Sequence, residues 1–170
     1  MRNAINLLFL SLAFFLAVAC GRQEIYKDPS QPVEARVEDL LKRMTLDEKI
    51  EQLGGDSTGF EAGWNRRLGI PGIKMTDGPV GVRWGKATAF PASIGMAATW
   101  DTTLIHKVGT ALGEETKARG RNFLLAGCVN LHRLPVGGRN FESFGEDPYL
   151  SSRLIVPYVK GIQEQGEVGS

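Results

Sequence analysis

Two stretches of the chain concentrate side chains suited to chemistry. The first is Thr76-Asp77-Gly78-Pro79, with Arg83 six residues after the aspartate. A carboxylate set just before Gly-Pro leaves the regular backbone, and either turns back on its own amides or faces a ligand. Arg83 is then a solvated surface charge or a partner for Asp77. The second stretch is Gly137-Gly138-Arg139-Asn140-Phe141-Glu142, with Glu146 and Asp147 just beyond it. Arg139 offers a planar fork of donors that suits a ligand oxygen or braces Glu142 or Glu146. Glu142, Glu146 and Asp147 supply the paired carboxylates that general acid–base chemistry requires. Asp147 equally fits a helix cap, and Glu146 the start of the same helix. His132 stands beside Arg133 without a second histidine close by, so no metal site is predicted. Neither a phosphate-binding glycine loop after a strand nor a nucleophile elbow occurs, and no cofactor is predicted. Cys128, among Leu124, Leu125 and Val129, reads as a buried, inert thiol.

These residues need elements to position them. Val33, Val37, Leu40, Leu41 and Met44 repeat at helical spacing and predict one amphipathic helix after Ser30 and Pro32. Thr45-Leu46-Asp47-Glu48 is a capping box that starts a second, short helix with Leu46, Ile50 and Leu53 as its face; Gly54-Gly55 stops it. Ile70–Asp77 alternates like a strand, and Gly78-Pro79 ends it. Val80–Thr99 reads as irregular. Asp101 caps a third helix whose predicted face is Leu104, Val108 and Leu112, closed by Gly120. Phe123–Ala126 is apolar throughout, as in a strand buried on both faces. A long loop over Leu131–Glu146 leads to Asp147-Pro148, a cap followed by proline at the first helical position. Leu150, Leu154, Ile155, Tyr158, Val159 and Ile162 form the last helix face, with Pro157 predicted to kink it. Strand, helix, strand, helix with apolar strands predicts an α/β protein with parallel strands. Its long loops follow the strand C-termini, where such folds place their sites.

The N-terminus reads as an address. Arg2 is followed by a run over Leu7–Ala19 that is apolar apart from Ser11, too short for a bilayer span of about 20 residues. Ala17-Val18-Ala19-Cys20 resembles a bacterial lipobox, so residues 1–19 are expected to be a lipoprotein signal peptide. Cys20 becomes the acylated N-terminus, and residues 20–32 a polar tether. The expected location is the bacterial cell envelope, as a periplasmic or outer-membrane lipoprotein that meets the membrane through its lipid alone. With Cys20 lipidated, Cys128 is the one remaining thiol and no internal disulfide is expected. Twenty Lys and Arg balance 19 Asp and Glu among 170 residues, without the basic excess of a nucleic-acid binder. A hydrophobic fraction of 42% places the chain among ordinary globular proteins.

Several motifs together resemble the N-terminal domain of glycoside hydrolase family 3. They are Arg43–Ile50, Thr76-Asp77-Gly78-Pro79 with Gly81-Val82-Arg83, Ala89-Phe90-Pro91 through Trp100-Asp101, and Gly138-Arg139-Asn140-Phe141-Glu142 through Pro148. The resemblance runs from about Val33 to Gly169. It implies a (β/α)8 TIM-type barrel and retaining hydrolysis of terminal non-reducing β-D-glycosidic bonds. It further implies that Asp77, Arg83 and Arg139 bind the terminal sugar of a β-linked oligosaccharide or glucoside, whereas Glu142 braces its loop. His132-Arg133-Leu134-Pro135-Val136-Gly137 departs from the Arg-Asp-Pro-Arg that family members often carry there. In the family a Lys-His pair follows the last helix, and the nucleophile and acid/base come later. All are expected beyond residue 170, so no catalytic residue is assigned within the chain. Residues 33–170, about 140 in number, are expected to be a partial barrel against the roughly 250 residues of a typical one. The alternative expectation is a catalytically inactive, lipid-anchored sugar-binding module.

Overall fold

The computed structural model describes residues 24–166 and 168–169; the predicted signal peptide and Cys20 lie outside the described residues. The chain forms two compact units, Met1–Lys49 and Ile50–Ser170.

In the first unit a short turn over Ile25–Lys27 lies on helix α1 (Val33–Arg43). Tyr26, 5% exposed, is held from both sides of its peptide. Its N–H donates to Asp39 Oδ2 at 3.2 Å, and its carbonyl accepts from Arg36 Nε at 3.2 Å. The capping box forms as predicted at the start of α2 (Leu46–Glu51): Thr45 N donates to Glu48 Oε2 and Glu48 N to Thr45 Oγ1, at 2.8 and 3.2 Å. The predicted apolar faces, in contrast, are not buried. Val33, Val37, Leu41, Leu46, Ile50 and Leu53 are all exposed, and Met44 alone of the α1 run is buried. Periodicity says that a face is apolar but not what covers it.

The second unit is built on a four-stranded sheet in the order β1-β2-β3-β4: β1 (Glu61–Ala62), β2 (Ile73–Asp77), β3 (Phe123–Leu125) and β4 (Val168–Gly169). β1 runs antiparallel to β2. β2, β3 and β4 are parallel, with Met75 opposite Phe123 and Asp77 opposite Leu125. The predicted strands were longer at one end each, and Val80–Thr99 holds a short helix, α3 (Ser93–Ala97), within its irregular course. Only Leu124 of β3 is fully buried; Phe123 and Leu125 are half-buried, short of the two-faced burial predicted.

Helices α4 (Thr102–Ala118) and α5 (Pro148–Gln163) start where their caps were predicted. Asp101 accepts from Thr103 N and Leu104 N, and Asp147 from Tyr149 N and Leu150 N. Pro157 is accommodated inside α5. The buried face of α5 carries Leu154, Tyr158 and Ile162, as its spacing predicts. For α4 the face is turned. Leu104 is 41% exposed, and the buried line is Ile105, Gly109, Leu112, Gly113 and Thr116. The reason is close helix packing. A Cβ on Gly109 would lie 2.2 Å from Tyr158 O, and one on Gly161 2.4 Å from His106 O. Glycines invisible to an apolar count let the two backbones touch, and they set which way α4 faces. Ile105, Leu112, Leu124, Leu154, Tyr158 and Ile162 are the centre of the resulting core.

Candidate functional site

The site begins where β2 stops. Gly78 N donates to Leu125 O at 3.2 Å, so the chain is still tied to β3 as it turns. Gly81 follows with φ +130°, and a Cβ there would sit 2.2 Å from Thr88 O; the loop folds back on itself too tightly for any side chain at that point. Phe90 N reaches Val80 O at 2.9 Å, and Glu115 of α4 accepts from Thr88 N and Oγ1. Within this anchored loop Arg83 meets Asp77 twice. Its N–H donates to the Asp77 carbonyl at 2.9 Å, and Nη1 donates to Oδ2 at 2.7 Å. Arg83 is therefore a partner of Asp77 and not a free surface charge. Both remain reachable, with side chains 70% and 33% exposed.

The second cluster follows β3. Arg139 grips Glu142 through two donors, Nε at 2.6 Å and Nη2 at 2.5 Å from Oε2, across a single turn of 3-10 helix over Asn140–Glu142. That hydrogen-bonded pair pushes the Arg139 guanidinium further above its usual range, with the Asp77 charge adding to the shift. Cys128 is half-buried and not buried as predicted; burial, and then the Glu142 carboxylate, still push its thiol up, with Sγ 3.9 Å from Glu142 Oε2. A cavity of about 430 Å³ opens among Cys128, His132, Arg139, Glu142 and Ser143. His132 Nε2 is buried there without a hydrogen-bond partner, though its N–H is tied to Gly145 O at 3.2 Å.

The structure thus brings Asp77 and Arg83 into contact and places Arg139 with Glu142 in the loop after β3, the strand that pairs with β2. Glu142 joins the cluster as the brace of Arg139, and the same oxygen receives both donors. A general acid must present a proton, and this carboxylate presents acceptors to a permanent cation. Glu146 is exposed and Asp147 is spent as the α5 cap, so neither pairs with Glu142. Among the described residues no group of three or more His, Cys, Asp or Glu is placed to hold a metal ion. Sequence reasoning missed Glu115, Trp84, Glu61 and Arg121, which anchor the loop from behind; none carries a spacing signal, because each partner is distant along the chain.

Charged loops at the carboxyl ends of two adjacent parallel strands occupy the place where α/β folds build their binding sites. The comparisons with known proteins are specific. The profile described as glycosyl hydrolase family 3 N terminal domain matches residues 45–170, and the chain belongs to that family. Beta-glucosidase BoGH3A of Bacteroides ovatus is 43% identical over 179 aligned residues, covering 95% of this chain and 24% of that protein. Among solved structures, beta-glucosidase 3B from Thermotoga neapolitana in complex with glucose matches with a TM-score of 0.72. That match has 34% identity and covers 78% of this chain and 22% of that one. The beta-glucosidase from Kluyveromyces marxianus in complex with glucose matches with a TM-score of 0.74 at 37% identity, over 78% and 17% of the two chains. The chain therefore spans a quarter or less of the length of these relatives.

Proposed function

We propose that this chain supplies the sugar-holding part of a site that hydrolyses terminal, non-reducing β-D-glucosidic bonds with retention of configuration. Asp77, Arg83 and Arg139 are the holding groups, and the nucleophile and acid/base are not among its 170 residues. The observation that carries this reading is the paired Asp77 and Arg83 at the end of β2, with Arg139 in the loop that follows the neighbouring strand β3. A glucosyl ring has no charge to recognise. Its orientation comes from several charge-assisted hydrogen bonds to hydroxyls at once, the carboxylate accepting and the guanidinium groups donating. Because Asp77 and Arg83 hold each other, and Glu142 holds Arg139, before sugar arrives, little reorganisation is required. Such bonds strengthen as the ring flattens toward an oxocarbenium-like transition state. The parallel strands β2, β3 and β4 are read as the opening strands of a TIM-type barrel, and Cys20 as the acylation site of an envelope lipoprotein.

Titration of the chain with glucose, followed by NMR, tests the reading. Saturable binding is expected, weakened at least tenfold in Asp77→Ala, a loss of about 1.4 kcal/mol. Unchanged affinity in a folded Asp77→Ala variant would reduce Asp77 to a turn residue. For the lipid, labelled fatty acid is expected on the wild-type chain and absent from Cys20→Ala; label on both would remove the assignment.

A further inference from the structure

Arg121 is the most deeply buried ion-pairing cation among the described residues, with a side chain 7% exposed, and it lies outside the sugar-holding cluster. A guanidinium this far from water requires compensation on several sides. It has two partners. Nη1 donates to Glu61 Oε1 at 3.2 Å, and the Cζ atom lies 3.3 Å from the centre of the Trp84 ring, a stacked cation–π contact. Trp84 is fixed a second time by Phe60, edge-on at 6.1 Å and 62°. Glu61 belongs to β1 and Arg121 precedes β3, so this bridge crosses β2, the strand that ends on Asp77. Trp84 is covalently next to Arg83, whose side chain is 70% exposed and reaches Asp77 through Nη1.

We propose that Arg121 is a positioning residue for the sugar-holding pair. By clasping Glu61 across β2 and clamping the Trp84 indole, it fixes the backbone from which Arg83 reaches Asp77. The line Glu61–Arg121–Trp84–Arg83–Asp77 joins a buried ion pair to an exposed one. The Arg83 N–H is held on the Asp77 carbonyl on one side, and the clamped indole next to it restrains the same residue on the other, so less freedom is left for its side chain to swing. The inference rests on the reading of Asp77 and Arg83 as holding groups.

The test uses the full chain and two measurements: glucose affinity by NMR titration, and the ¹⁵N signals of the Arg83 guanidinium, whose Nη rotation slows when a carboxylate holds one nitrogen. Each variant is measured at a temperature where circular dichroism shows it folded. Arg121→Met and Trp84→Ala are each expected to weaken glucose binding about tenfold and to move the Arg83 signals toward those of a free guanidinium, the double variant adding no further loss. Arg121→Lys keeps the charge without the stacked plane and is expected to fall between. A folded Arg121→Met with wild-type affinity and wild-type Arg83 signals overturns the proposal, as do losses that add in the double variant. Should Arg121→Met fail to fold, Arg121→Lys carries the same comparison. Absence of glucose binding in the wild type defeats the sugar reading by itself; the Arg83 signals then decide the positioning role alone.

Discussion

The helix pair behind the sheet and the loops in front of it solve opposite problems with the same kinds of residue. Behind, Gly109 and Gly161 bring the backbones of α4 and α5 together, and the side chains packed around them are mostly apolar. In front, Gly81 lets the loop after β2 double back and present the Asp77–Arg83 pair, while the loop after β3 presents Arg139 with Glu142. Removing atoms or adding them behind the sheet acts on stability, because close packing leaves nowhere for strain to go. In front, exposed pairs contribute little to folding, since water screens them, and on the proposed reading the same groups act on a ligand that displaces that water.

That comparison can be broken most sharply at Gly109. Gly109→Val places a branched side chain where a single Cβ already meets Tyr158 O at 2.2 Å, and a loss of about 3 kcal/mol or more is expected. Thermal melting checks it, and a melting temperature near the wild type would show that the helices can part without cost. Leu124→Ala, at a fully buried position of β3, is expected to lose about 2–5 kcal/mol in urea unfolding, with α4, α5 and the sheet sharing one transition. Thr45→Ala, which removes half of the capping box, should lower stability by about 1 kcal/mol. Asp77→Asn belongs to the other side of the comparison. It should change unfolding free energy by no more than about 0.5 kcal/mol, because the Arg83 pair is exposed. A large stability loss there would join the two regions that the comparison separates.

The smallest expected effect concerns Tyr158, which belongs to the core yet carries a polar atom. Its hydroxyl is buried without a hydrogen-bond partner, and burial pushes its phenol well above the usual value of 10. In the folded state the proton stays on; in the unfolded state it leaves as pH rises through about 10. The unfolded state alone gains from ionisation, so this residue subtracts stability increasingly above pH 10. Tyr158→Phe is expected to be neutral or slightly stabilising at pH 7. It should also flatten the fall in melting temperature between pH 9 and 11 relative to the wild type. A clear loss at pH 7 would mean that the hydroxyl is satisfied after all.

Much of this was open to reading one residue at a time. The caps at Asp101 and Asp147 and the reciprocal bonds of Thr45 and Glu48 are interactions within one turn, so the local sequence contains both partners. The Asp77–Arg83 contact spans six residues and a single loop, and it too was within reach. The motifs around Gly138-Arg139-Asn140-Phe141-Glu142 placed the chain in its family on residue types alone.

Other features were settled only by the fold. The direction of α4 depends on glycines whose meaning comes from the helix opposite, more than 40 residues away in the chain. The exposed faces of α1 and α2 show the same limit from the other side: periodicity fixes a stripe, and burial depends on what is packed against it. Arg121 is the clearest case. Nothing beside it in the chain marks it, because its counterion is Glu61, 60 residues earlier, and its stacking partner is Trp84. Local sequence determines caps, turns and strand ends because their partners are neighbours. Long-range pairs exist only once a sheet has brought distant segments to within about 5 Å of each other.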